Sequence, residues 1–176
     1  KHSFPTRRSS DLETPESEGI EENFTQAAEK FMLPKLHVFV LVHGLGGSQN
    51  DLLGFKNHIS LIYPNSEFII SRKNSSSKSE EDINILAKNL VHEIEADLKF
   101  YDLSNIENIS FIGFSLGGII IRAALPLLSV YKDKFHSYIS LATPHLGLKL
   151  KKRHIAAGLW FMKMFSSKKC LEQLNL

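Results

Sequence analysis

The sequence predicts an α/β fold, a mostly parallel sheet with helices on both faces. Three observations carry that expectation. Short β-branched apolar runs alternate with stretches whose apolar residues recur at helical spacing. The strand runs are apolar without alternation, as in strands buried on both faces of a parallel sheet. Two of them lead into glycine-rich turns, HGLGG at 43–47 and GFSLGG at 113–118. Such alternation implies right-handed crossovers between neighbouring strands.

The elements follow in order. Leu36–Val42 (LHVFVLV) reads as the first strand. Asn50–Tyr63 carries Leu52, Leu53, Phe55, His58, Ile59 and Ile62 at helical spacing, with Ser48 or Asn50 as N-cap. Ser66–Ser71 is a second strand, and RKNSSSKSEED after it a polar loop. Asp82–Phe100 predicts a long amphipathic helix striped by Ile83, Leu86, Leu90, Ile94 and Leu98. Asn108–Ile112 is a third strand. Ser115–Val130 reads as a helix that Pro126 kinks or ends, and His136–Leu141 as a fourth strand. There is no internal repeat.

The 176 residues suffice for one domain, assigned to 35–176. Residues 13–34 read as an acidic linker or disordered stretch, with a short edge helix over 13–30 as the alternative. Residues 1–12 contain HSFPTRRSSDL, which matches one reading frame of a sequencing-library adapter, and they are set aside from fold reasoning. A content of 43% hydrophobic and 23% charged residues is that of an ordinary globular protein. A net charge of +2 does not point to nucleic acid. The single cysteine, Cys170, allows no internal disulfide and fits a reducing compartment; a cytoplasmic location is favoured only on the lack of a signal or membrane-spanning segment in the sequence read. No apolar run approaches the roughly 20 residues that cross a bilayer, and no secretory leader is evident. Asn-x-Ser/Thr matches at Asn23, Asn74 and Asn108 are read as chance.

The candidate chemistry lies in GFSLGG. A G-x-S-x-G motif between a buried strand and a helix fits a nucleophile elbow, with Ser115 as the nucleophile. The turn must be sharp enough to lift the hydroxyl above the sheet edge, which strains the backbone at the serine. Gly113 and Gly117 meet the need for residues without side chains on either side, and Gly118 relieves the next position. The backbone amide of Leu116, at the helix N-terminus, is one oxyanion donor. HGLGG supplies the second, the amide of Leu45, with His43, Gly44, Gly46 and Gly47 shaping the loop. Nucleotide binding fits poorly, because GLGGSQ lacks the last glycine of G-x-G-x-x-G and no G-K-[ST] follows. No metal or cofactor is expected.

On the stretches FVLVHGLGGSQNDL, ISFIGFSLGGIIIRAAL, YISLATPHLGL and GLWFMKMF, the chain resembles the lipase-like serine esterases of the α/β-hydrolase superfamily, a domain of unknown function. The resemblance covers roughly residues 36–176, and PHLG followed by GLWFM is its most specific part. It implies a partial α/β-hydrolase fold, the C-terminal strands missing, with an ester or lipid substrate. Phe114 stands where relatives commonly carry His.

Hydrolases of this fold order their triad Ser, Asp or Glu, then His. The acids after Ser115 are Asp133, ahead of the fourth strand and so at the wrong end of the sheet, and Glu172, with no histidine after it. His136 reads as structural and His154 as solvated. His145 follows a strand at the serine end and reads as a pocket wall rather than a base. The triad acid and histidine are therefore expected beyond Leu176. Lys149–Lys169 is basic around an aromatic centre of Trp160, Phe161 and Phe165. It reads as a lid or interfacial helix giving peripheral membrane contact, or as a helix capping the serine face. Two functions remain open: a serine esterase, or a non-catalytic hydrolase-fold binding module.

Overall fold

The computed structural model describes residues 35–147 and 169–174. Four parallel strands form one sheet in the order β2-β1-β3-β4: β1 Leu36–Val42, β2 Ser66–Ile70, β3 Ile106–Phe114 and β4 Phe135–Leu141. The crossovers are α1 (Leu53–Ile62), α2 (Ile83–Leu98) and α3 (Leu116–Ala124), and a short α4 (Lys169–Glu172) follows. Along β1, Val38, Val40 and Val42 face one side while Phe39 and Leu41 face the other, and all five are buried. This accounts for the unbroken apolar run.

The larger core lies between the sheet and α2 with α3. Leu86, Leu90, Ile94 and Leu98 of α2 meet Val38, Val40, Phe111, Ile120 and Ile121 there. Each such side chain contributes roughly 1.5–3 kcal/mol on burial. Asp82 caps α2 by accepting from the Asn84 amide. Ser48 caps the turn Gln49–Leu52 in a reciprocal box with Asp51, whose carboxylate accepts from the Ser48 amide at 2.8 Å.

Three sequence expectations shift. The helix expected over Ser115–Val130 ends at Ala124, and a 3-10 segment, Leu125–Lys134, follows with Pro126 in its first turn. The ring removes an amide and crowds the preceding turn, so the α-helical ladder stops there. β3 is longer than expected, because Ile106 already pairs with Leu36 and Phe114 still pairs with Leu141. The stripe expected over Asn50–Tyr63 is buried only in part. Leu52 and Ile59 pack under the sheet, while Leu61 and Ile62 are 84% and 72% exposed.

The polar loop after β2 is more built than its composition suggests. Buried Glu93 of α2 accepts from the Ser71 hydroxyl and from the amides of Arg72 and Lys73, at 3.1, 2.8 and 3.0 Å. Arg72 lies 3.6 Å from Glu93 and 3.1 Å from Asp97. Asn74 is fully buried; its amide donates to the Leu86 carbonyl and its oxygen accepts from Asn89. A glycan has no room there. Asn23 lies outside the described residues, as does the lid or interfacial segment up to Lys168.

Candidate functional site

β3 runs into α3 through Ser115, which holds φ 52° and ψ −120°. The turn is fixed at both ends. The Ser115 amide donates to the Leu141 carbonyl at the end of β4, and the Gly118 amide donates back to the Ser115 carbonyl. The two flanking glycines are required by space. A Cβ on Gly117 would sit 2.1 Å from the Val42 carbonyl oxygen, and one on Gly113 2.5 Å from the Gly118 backbone. Gly118 in turn accommodates Thr143, whose hydroxyl would meet its Cβ at 2.2 Å. Leu116 opens α3, so its amide belongs to the first turn, where no intrahelical acceptor exists.

The HGLGG loop closes on this turn from the end of β1. A Cβ on Gly44 would lie 3.0 Å from Ser115 Cβ, so the two motifs touch. Gly46 has φ 68°, a left-handed state open to glycine at little cost, and the Gly47 amide donates to the Gly44 carbonyl. His43 is buried. Its Nδ1 bonds the Gly44 carbonyl at 2.9 Å, which accepts only, so the proton is on Nδ1. Nε2 then accepts from the Ser75 hydroxyl at 3.3 Å. His43 thus holds the loop and has no free nitrogen for Ser115.

A cavity of about 220 Å³ opens beside the loop, with Leu45, Leu52, Phe55 and Phe114 as its apolar wall and His43 and Asp51 as polar members. His145 is not among its lining residues. It sits past β4, where the Arg122 guanidinium donates to Nδ1 at 3.2 Å and Nε2 meets the Ser140 hydroxyl at 2.8 Å. Arginine only donates, so Nδ1 carries the lone pair and Nε2 the proton. The other described histidines are also placed elsewhere: His37 and His136 on Ser110, His58 on the Gly54 carbonyl, His92 on the exposed side of α2; His154 lies outside the described residues. Asp133 is exposed beyond the opposite end of the sheet, and Glu172 lies in α4. Among the described residues, none is hydrogen-bonded to the Ser115 side chain. The Tyr138 hydroxyl donates to the Gly118 carbonyl at 2.6 Å and braces α3 from β4. Burial pushes the Tyr138 phenol upward, with Ser140 and Arg122 pulling part of the way back, so it stays a donor.

Sequence reasoning missed Asp51 and the cavity's dependence on α1, and it passed over Ser75, Ser76 and Ser79 as a polar loop. Their only signal was a run of small hydroxyl side chains, which also suits a solvated turn.

Residues 33–176 match the family described as "Putative serine esterase (DUF676)". The chain belongs to that family. It is also 33% identical over 125 residues to "Putative lipase ROG1" of Saccharomyces cerevisiae, covering 65% of this chain and 18% of that protein. The chain therefore spans under a fifth of that relative's length. Among solved structures, mature Bacillus licheniformis lipase BlEst2 superposes with a TM-score of 0.55 at 19% identity, over 81% of this chain and 54% of that one. Aspergillus fumigatus lipase B gives 0.53 at 15% identity, over 70% and 28%. These likenesses establish an α/β-hydrolase fold for this serine esterase family member.

Proposed function

We propose that this chain carries the nucleophile and oxyanion hole of a carboxylic ester hydrolase. Ser115 Oγ attacks the ester carbonyl, and the amides of Leu45 and Leu116 take the oxyanion of the tetrahedral intermediate. Collapse expels the alcohol and leaves an acyl-serine, which water hydrolyses to the acid and free serine. A histidine and a carboxylate outside the described residues complete the triad. The observation that carries this reading is the strained conformation of Ser115 between β3 and α3, with Gly44 packed against it. A strained residue persists where its surroundings over-determine it, and functional sites are where such residues cluster. The apolar wall of Leu45, Leu52, Phe55 and Phe114 suits the acyl part of an ester or lipid.

A second reading, a non-catalytic binding module, draws on the same histidine geometry, since no described histidine is hydrogen-bonded to Ser115. A fluorophosphonate probe separates the two in the full-length protein. The esterase reading expects labelling that Ser115→Ala abolishes. An unlabelled folded protein, or equal labelling of the variant, overturns it.

A further inference from the structure

The loop that meets Ser115 is fastened to a second loop, at a residue 33 positions further along the sequence. Ser79 lies in the 3-10 turn Ser76–Glu80 and is buried, 1% exposed. Its hydroxyl oxygen accepts from the Gly46 amide at 2.7 Å, and its proton goes to the Ser76 carbonyl at 2.6 Å. Both directions of the hydroxyl are used, so its rotation is fixed. The Ser76 amide donates to the Gly47 carbonyl at 2.8 Å. Two consecutive residues of the glycine loop are thus tied to one turn, one through its amide and one through its carbonyl.

The turn is itself firmly held. Ser76 has φ 57°, a state that a non-glycine residue keeps only under constraint. Behind it, the Cys170 thiol approaches the Ser79 carbonyl at 3.6 Å, and Lys169 pairs with Glu81 at 3.5 Å. Gln173 bonds both the Ile83 amide and the Asp82 carboxylate at 2.8 Å.

Within the loop, the Gly44 carbonyl is held by the Gly47 amide and His43 Nδ1. The peptide that follows is trans and planar, so the Leu45 N–H points opposite to that carbonyl. Its direction therefore depends on where Gly46 and Gly47 are anchored. We propose that Ser79 is a positioning residue, which sets the Leu45 amide toward the developing oxyanion by anchoring Gly46. This rests on the esterase reading above. A fixed donor matters because misplacement by about 1 Å can cost on the order of a hundredfold in rate.

The test uses the full-length protein, p-nitrophenyl butyrate as substrate and a boronic acid as tetrahedral analogue, with active sites counted by fluorophosphonate titration. For Ser79→Ala, kcat per active site falls on the order of tenfold while KM stays within about twofold. The boronate inhibition constant rises by the same factor as kcat falls, and Ser79→Thr recovers most of both. A merely structural role would reduce the number of titratable sites and leave the inhibition constant per site unchanged, which overturns the proposal. If Ser79→Ala does not fold, Ser79→Cys, nearly isosteric but a weak acceptor, decides by the same two readouts. An enzyme whose Ser115→Ala variant is dead but whose folded Ser79 variants match wild type refutes the positioning role alone. Retained activity in Ser115→Ala refutes the esterase reading and the inference with it.

Discussion

Ser115 holds a backbone state that glycine adopts freely and serine does not. Strain of this kind costs on the order of 1–3 kcal/mol. Replacing the serine by glycine removes that cost, whereas alanine keeps it. Ser115→Gly is therefore expected to be more stable than Ser115→Ala by about 1 kcal/mol, despite the greater chain entropy of glycine when unfolded. Urea midpoints of the two variants measure this, and equal midpoints would show an unstrained turn. The strain and the flanking glycines were legible, because G-x-S-x-G after a buried strand has few other geometric solutions. The partners of His43 and His145 were not legible. A sequence shows that a histidine follows a strand, but not that Ser75 or Arg122 is folded against its ring.

At the scale of elements, the periodic stretches were read well and the aperiodic ones poorly. β1 emerges as an unbroken apolar run buried on both faces, and the buried stripe of α2 from its helical period. Ser71–Asp82 has none, yet it is where Glu93 and Ser79 do their holding. Glu93 joins α2 to the segment after β2 through three hydrogen bonds and an ion pair with Arg72. Glu93→Ala leaves buried donors without their acceptor and should cost about 3 kcal/mol. Asp97→Ala removes only a partly exposed pair with Arg72 and should cost below about 1 kcal/mol. Denaturant unfolding of both variants checks the contrast, and similar losses would mean that Glu93 is not the clamp. α1 misled for the opposite reason: its spacing is helical, but only Ile59, with Leu52 of the 3-10 turn before it, finds the sheet.

For the whole molecule, acid should loosen the end of the sheet away from Ser115. His37 stacks on Phe39 with ring centroids 4.1 Å apart, bonds the Ser110 hydroxyl at 2.8 Å and faces His136. Burial lowers its pKa below the ordinary 6.5, His136 lowers it further, and Glu107 opposes them. The unfolded chain thus takes up this proton first. The neutral ring's contribution is complete above 6.5 and declines as pH falls through 6.5 toward the lower folded value. His37→Gln should lose stability less steeply than wild type between about pH 7 and pH 5. Thermal melts across that range test it, and identical slopes would remove His37 as the cause. The interior has one more consequence, at Asn74, where the sequon N-S-S meets a fully buried side-chain amide bonded to Leu86 and Asn89. An oligosaccharide transferred to that nitrogen during synthesis would occupy the space into which α2 must settle. Folding and that decoration exclude each other, so a host that glycosylates its secreted chains is a poor choice for producing this one.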